Sequence, residues 1–188
     1  MNFIKQFFLH PIEVGSLIPS SKTLSKSIVN LPNLKIKKCV VELGTGNGVV
    51  TQEIIKNLST NTFFFGVEIN ENFVKETKEN CPGTKIYHGS AKDLKNYLHE
   101  NDFEYSDCII SELPWGAFSN NLQDELLEAI YNSLEQKGDF ITISFAQSVL
   151  FAPSKRFYKL IESKFDTVKK TPIIWKNFPP AFIYHCIK

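Results

Sequence analysis

The stretch VVELGTGNGVVT, residues 40–51, limits the possible folds of this chain more than any other. With Cys39 before it, its first half is a short apolar run of strand-forming residues, and Glu42 sits one position from the end. Gly44, Gly46 and Gly48 then alternate with Thr45 and Asn47, after which Val50, Ile54, Ile55 and Leu58 recur at helical spacing. A buried strand that breaks into a glycine turn and re-emerges as a helix is the first half of a parallel βαβ unit. Glycines there let the backbone turn sharply and lie against a ligand, with the helix's first N–H groups still open.

The same alternation continues to the end of the chain. Residues 62–69, 84–89, 105–111 and 139–145 read as strands. Helices are expected over 48–58, 70–80, 93–99 and 154–165, and over 122–138, where Leu122, Leu126, Ile130 and Leu134 fall in register before Gly138 as the stop. PIIWKNF and AFIYHCI read as two closing strands joined at Pro179-Pro180, an antiparallel hairpin. The expectation is an α/β fold, a seven-stranded, mostly parallel sheet with helices on both faces and a C-terminal hairpin. One domain spans 1–188, with 1–30 as an N-terminal helical cap or membrane-contact segment.

Composition narrows the class. With 43% hydrophobic and 22% charged residues the chain is globular, and a formal net charge of +1 supplies no overall field for nucleic acid or membrane. Any such attraction must come from a local patch. The four cysteines show no C-x-x-C spacing and are read as reduced, mostly buried thiols of a cytoplasmic protein. No apolar run reaches the roughly 20 residues that span a bilayer, and a signal-peptide pattern is missing, so the protein is expected to be neither transmembrane nor secreted. Phe3, Ile4, Phe7 and Phe8 do give residues 1–10 a short helix with an apolar face.

The loop's G-x-G-x-G spacing differs from the G-x-G-x-x-G of dinucleotide sites, which disfavours NAD or FAD. With the preceding acid it resembles motif I of class I S-adenosylmethionine-dependent methyltransferases, and so implies their Rossmann-like fold, with the loop around the cofactor's methionine and ribose. A tight structural turn would also use such glycines. Glu68 ends the second strand twenty positions after Gly48, where a carboxylate accepts ribose hydroxyls, with Ile69 beside it. Glu42 is expected to orient the loop and the cofactor's amino group. At the third strand's end the family usually has Gly-Asp-Ala, whereas this chain has Gly89, Ser90 and Ala91. The adenine contact then falls to the Ala91 N–H and a water, or to Asp93, which would otherwise cap a helix.

SELPWGAF, residues 111–118, interrupts the chain after the fourth strand. Methyl transfer needs a lone pair placed about 3 Å from the methyl carbon, with water excluded. Pro114 stiffens this turn, the carbonyls of Glu112 and Leu113 are placed to accept from an amine, and Trp115 offers a face to a cation. The segment resembles the N-P-P-[YFW] or N-L-P-Y box of amino-group methyltransferases, with Glu112 replacing the Asn. A carboxylate favours a cationic amine over a neutral base edge. His10, His99 and His185 are read as structural or solvated, and neither a metal-ligand cluster nor a covalent triad is found.

FIKQFFLHPIEVGSLIPSSKTLSKSI, VVELGTGNGVVT and WKNFPPAFIY, taken in order, resemble bacterial phospholipid N-methyltransferases of the phosphatidylethanolamine type. The resemblance implies methylation of a phospholipid head-group amine by a cytoplasmic protein peripheral on the inner membrane face, with the first helix as anchor. Ser20 and Ser21 are expected to cap the next helix, their hydroxyls reaching either the cofactor carboxylate or a substrate phosphate. Soluble small-molecule or peptide amines, and ribosomal-RNA adenine, stay open as acceptors. The missing basic excess weighs against nucleic acid. A binding protein with a vestigial cofactor site is the non-enzymatic alternative.

Overall fold

The computed structural model describes residues 20–188, so the expected helix and membrane contact within 1–10 lie outside it. Strands β1 (Cys39–Leu43), β2 (Phe63–Glu68), β3 (Lys85–His88), β4 (Ser106–Ser111), β5 (Leu134–Phe145), β6 (Thr167–Lys170) and β7 (Ala181–Ile187) form one sheet in the order β3-β2-β1-β4-β5-β7-β6. The first five are mutually parallel, and β7 runs antiparallel between β5 and β6. The expected fold class stands.

Among the described residues six α-helices cover the sheet: α1 (Lys22–Asn30), α2 (Val49–Asn57), α3 (Glu71–Asn80), α4 (Leu94–His99), α5 (Asn120–Ser133) and α6 (Ala152–Lys164). Alternate β1 side chains serve opposite faces. Val40 packs with Leu24 and Ile28 of α1 and Val50 and Ile54 of α2, while Val41 and Leu43 pack with Leu94, Leu126 and Phe157 of α4, α5 and α6. All four cysteines are buried and free.

Two element boundaries differ from expectation. Helix α5 stops at Ser133 and the chain enters β5 at once, so Leu134 begins a strand and Gly138 lies inside it. A fully buried leucine suits either a continuing helix or a new strand, which is why spacing alone misplaces the end. The stop comes from elsewhere: Lys188 Nζ donates to the carbonyls of Tyr131 and Leu134, both at 2.7 Å, satisfying the helix end from the far terminus. The sixth strand is Thr167–Lys170, and residues 171–180 form a loop tied to β7 by the bridge of Ile174 to Ala181 and by hydrogen bonds between Thr171 and Ile183. Pro172, Pro179 and Pro180 have no N–H for a ladder, and Asn177 draws the segment toward α1.

Strand order reverses between β1 and β4, the place where sheets of this kind open a crevice. Register brings their ends level. Leu43 pairs with Val67 on one side and Ser111 on the other, so Glu42, Glu68 and Glu112 arrive at the same edge.

Candidate active site

The glycine turn is left-handed at Gly44, Gly46 and Gly48, with φ of 81°, 51° and 83°. A Cβ on Gly44 would also press on Leu113 at 3.3 Å, and one on Gly48 would meet Cys81 Sγ at 3.3 Å, so both positions need glycine for space as well as conformation. Helix α3 holds the turn from behind. Thr77 Oγ1 donates to the Gly46 carbonyl at 2.8 Å and Thr45 Oγ1 lies 3.0 Å from Thr77 Oγ1, turning Thr45 into the protein.

Three carboxyls surround the turn. Glu42 is fully buried, and its Oε2 accepts from Thr51 Oγ1 at 2.6 Å while its Oε1 has no hydrogen-bond partner among the described residues. Burial first, then the nearby Glu112 charge, pushes its pKa well above the usual range against the Thr51 hydrogen bond. Glu68 accepts from the Gly46 N–H at 3.1 Å and the Asn70 N–H at 2.9 Å, fixing the turn relative to β2, and burial raises its pKa despite those bonds. Glu112 Oε2 accepts from Ser20 Oγ at 2.6 Å. Desolvation by the surrounding protein pushes its carboxyl up to about 7, opposed by the Ser20 bond and reinforced by Glu68. No described cation forms an ion pair with any of the three, in keeping with carboxyls that burial pushes toward their neutral forms.

Two cavities meet at Gly44, Glu112, Leu113 and Pro114. The smaller, about 150 Å³, is walled by Glu68, Ile69, Phe73, Ser90, Ala91 and Leu113. Ser90 Oγ accepts from the Lys92 N–H and Asp93 makes no side-chain cap, so the short turn after β3 is closed by Ser90. The larger cavity, about 690 Å³, runs from Gly46 past Ser20 and Glu112 to Phe145, Ser148 and Phe151.

The 113–116 turn departs from expectation in two respects. Trp115 is only 4% exposed, its ring stacked 4.3 Å from Phe157 with the edges of Phe118 and Phe140 packed around it, and its Nε1 donates to Thr142 Oγ1 at 3.0 Å. It offers no open face to a cation, because an indole at this corner gains more from core burial. The Leu113 carbonyl is engaged by the Trp115 N–H at 2.9 Å, leaving Glu112 as the carbonyl to which no described residue donates. Gly116 admits Ser154 of α6, whose Oγ would lie 2.5 Å from an added Cβ.

Sequence reasoning did not find the partnership between the chain's ends. The Ser21 N–H donates to Asn177 Oδ1 at 2.9 Å, and Ser21 Oγ caps α1 by accepting from the Leu24 N–H. Asn177 Nδ2 donates to the Pro179 carbonyl at 2.7 Å. Ser20 and Ser21 and the Trp-x-Asn-x-Pro-Pro-Ala motif thus meet in one support, in which Ser20 bonds to Glu112. The shared rarity of the two motifs was the available signal.

A family model described as a methyltransferase domain matches residues 34–184. The chain belongs to that family. It is a methyltransferase whose methyl donor is S-adenosylmethionine. An ornithine lipid N-methyltransferase of Singulisphaera acidiphila is 28% identical to this methyltransferase, the match covering 98% of this chain and 93% of that protein. Among solved structures, an O-methyltransferase from Bacillus cereus in complex with SAH superposes with a TM-score of 0.70 at 17% identity, over 99% of this chain and 90% of that one. A putative rRNA methylase from Clostridium thermocellum gives 0.64 at 16%, over 90% and 98%. These two likenesses concern the fold. The residues present fit such a donor: a buried Glu42 oxygen without a hydrogen-bond partner among the described residues, a second buried acid and a left-handed glycine turn could take its positive charge and hydroxyls.

Proposed function

We propose that this methyltransferase N-methylates the amine of a lipid head group at a membrane surface. The observation that carries the reading is Glu112, a carboxyl held near neutrality where the two cavities join, facing a cavity walled by Ile143, Phe145 and Phe151. A cationic head group suits the carboxyl, and its acyl chains suit the wall. The 28% identity to an ornithine lipid N-methyltransferase supports the same acceptor chemistry.

In this reading the donor supplies an electrophilic methyl carbon on a positively charged sulfur. Gly44, Thr45, Gly46 and Gly48 hold its methionine portion, with Glu42 setting the turn and meeting positive charge. Glu68 takes the ribose hydroxyls through lone pairs left by its two backbone bonds, and Ile69, Ser90 and Ala91 border the adenine. Leu113 and Pro114 form the wall between donor and acceptor. An alkylammonium, with a pKa of about 10, must lose a proton before it attacks. Glu112 pairs with it, and its carbonyl and carboxylate align the nitrogen while the proton passes to the carboxylate or to water. Ser20 fixes which way the carboxyl turns.

The test supplies S-adenosylmethionine with vesicles containing an amine lipid, either phosphatidylethanolamine or an ornithine lipid, and with the corresponding water-soluble amines. Mass spectrometry should find methylated lipid. Turnover on the soluble amine alone would sink the lipid assignment.

A further inference from the structure

Beyond the cleft, two adjoining segments expose large apolar side chains, four of them by more than half. Leu150 and Phe151, 74% and 60% exposed, lie in the turn after β5, and Trp175 and Phe178, each 74% exposed, lie in the loop before β7. The segments leave the same end of the sheet, because Phe145 pairs with Ala181 and the Ala146 N–H donates to the Pro180 carbonyl at 2.8 Å. The loop is held: buried Asn177 ties it to Ser21 and Pro179, and the residues on either side of it, Lys176 and Phe178, point outward. Phe151 also walls the larger cavity together with Ser20 and Glu112.

The near-zero net charge hides a division of charge across the sheet. Residues 20–41 and 140–188 contain thirteen Lys or Arg and only two acidic residues, Glu162 and Asp166, whereas 42–139 contain seventeen acidic and seven basic residues. The first set builds α1, α6, β6, β7 and the second half of β5, and the second builds β2, β3, β4 and α2 to α5. Lys22, Lys155, Lys170 and Lys176 are exposed, lie on or beside the two aromatic segments, and form no ion pair among the described residues.

We infer that this rim docks on an anionic lipid bilayer, with Leu150, Phe151, Trp175 and Phe178 entering the interfacial layer and the lysines meeting anionic head groups. The inference deepens the lipid-amine reading and rests on it for its purpose: the larger cavity then opens onto the membrane, and a head group enters without its lipid leaving. Apolar side chains framed by cations match an interface that offers acyl chains beneath negative charge. A second copy is a poorer occupant, since a two-fold pairing would press this basic half against itself.

The chain's two tryptophans make the test direct, because Trp115 is buried and the difference between wild type and Trp175→Phe isolates Trp175. The full-length protein is mixed with phosphatidylcholine vesicles, with and without phosphatidylglycerol, whose acyl chains are brominated. Trp175 emission should be quenched on the anionic vesicles and recover in high salt, and Trp175→Ser/Phe178→Ser should lower vesicle affinity about tenfold while leaving S-adenosylmethionine affinity unchanged. Unquenched Trp175 on protein that still pellets with vesicles would overturn the inference and move attachment elsewhere, residues 1–10 included. So would shielding of Trp175 from an aqueous quencher without vesicles, whether by the chain's own first residues or, at high concentration only, by a second copy. Scoring methylation in the same vesicles separates the two ideas. Quenching without methylated lipid removes the lipid-amine reading and leaves the docking surface, and methylated lipid without quenching does the reverse.

Discussion

Glu112 carries a proton more readily than an ordinary carboxyl, and burial also raises Glu42 and Glu68. Groups raised in the folded state bind more protons there than in the unfolded chain, so their stabilisation is complete below the unfolded pKa of 4.5 and fades as pH climbs, for Glu112 through about 7. Cofactor-free protein should therefore gain from Glu112→Gln at pH 8 and not at pH 4, by on the order of 1–3 kcal/mol, read from thermal melts at both pH values. The same variant should lower kcat at least tenfold with donor affinity nearly unchanged, and should flatten the rise of activity through neutral pH. Glu68→Gln should weaken S-adenosylmethionine binding by about 10- to 100-fold in calorimetry, because charge-assisted bonds contribute roughly 1.5–3 kcal/mol each. Unchanged affinity would remove Glu68 from the ribose role. Both acids were legible as strand-end carboxylates. Trp115 was not, because a sequence does not tell whether an indole at a corner turns in or out. Trp115→Ala should cost about 3–5 kcal/mol of stability, a loss of core packing visible in denaturant melts before any change in chemistry is measured.

At the scale of elements, the five parallel strands were readable because each pairs a short apolar run with a turn signal. The edge strand Thr167–Lys170 was not, having Val168 as its one strongly apolar residue. Its lysines suit an unprotected edge and erase the pattern that would announce a strand. The α5 boundary failed for a different reason, since its end is satisfied by Lys188, 54 residues beyond Leu134. Long-range contacts of this kind also built the support under the active site. Ser20 meets Glu112 across 92 positions and Ser21 meets Asn177 across 156, and no local periodicity encodes either. Asn177→Ala should loosen that support, lowering stability by about 1–3 kcal/mol, or about 2–4 °C of Tm for each kcal/mol in a chain of this size. If the support positions Ser20, kcat should fall in the same variant and S-adenosylmethionine affinity should hold. Loss of stability with normal kcat would make it a brace alone.

For the molecule as a whole, composition hid what the sheet order reveals. A formal charge of +1 suggested indifference to charged surfaces, yet acidic residues outnumber basic ones over residues 42–139 and are scarce over 140–188, with the cleft near the boundary. A body of that kind has a strong dipole moment despite its weak monopole. Within about a Debye length of a negatively charged plane it experiences a torque out of proportion to its net pull, which turns its aromatic rim forward before contact. Each encounter is then pre-aligned, and the fraction of productive collisions, more than their number, is what added salt would diminish.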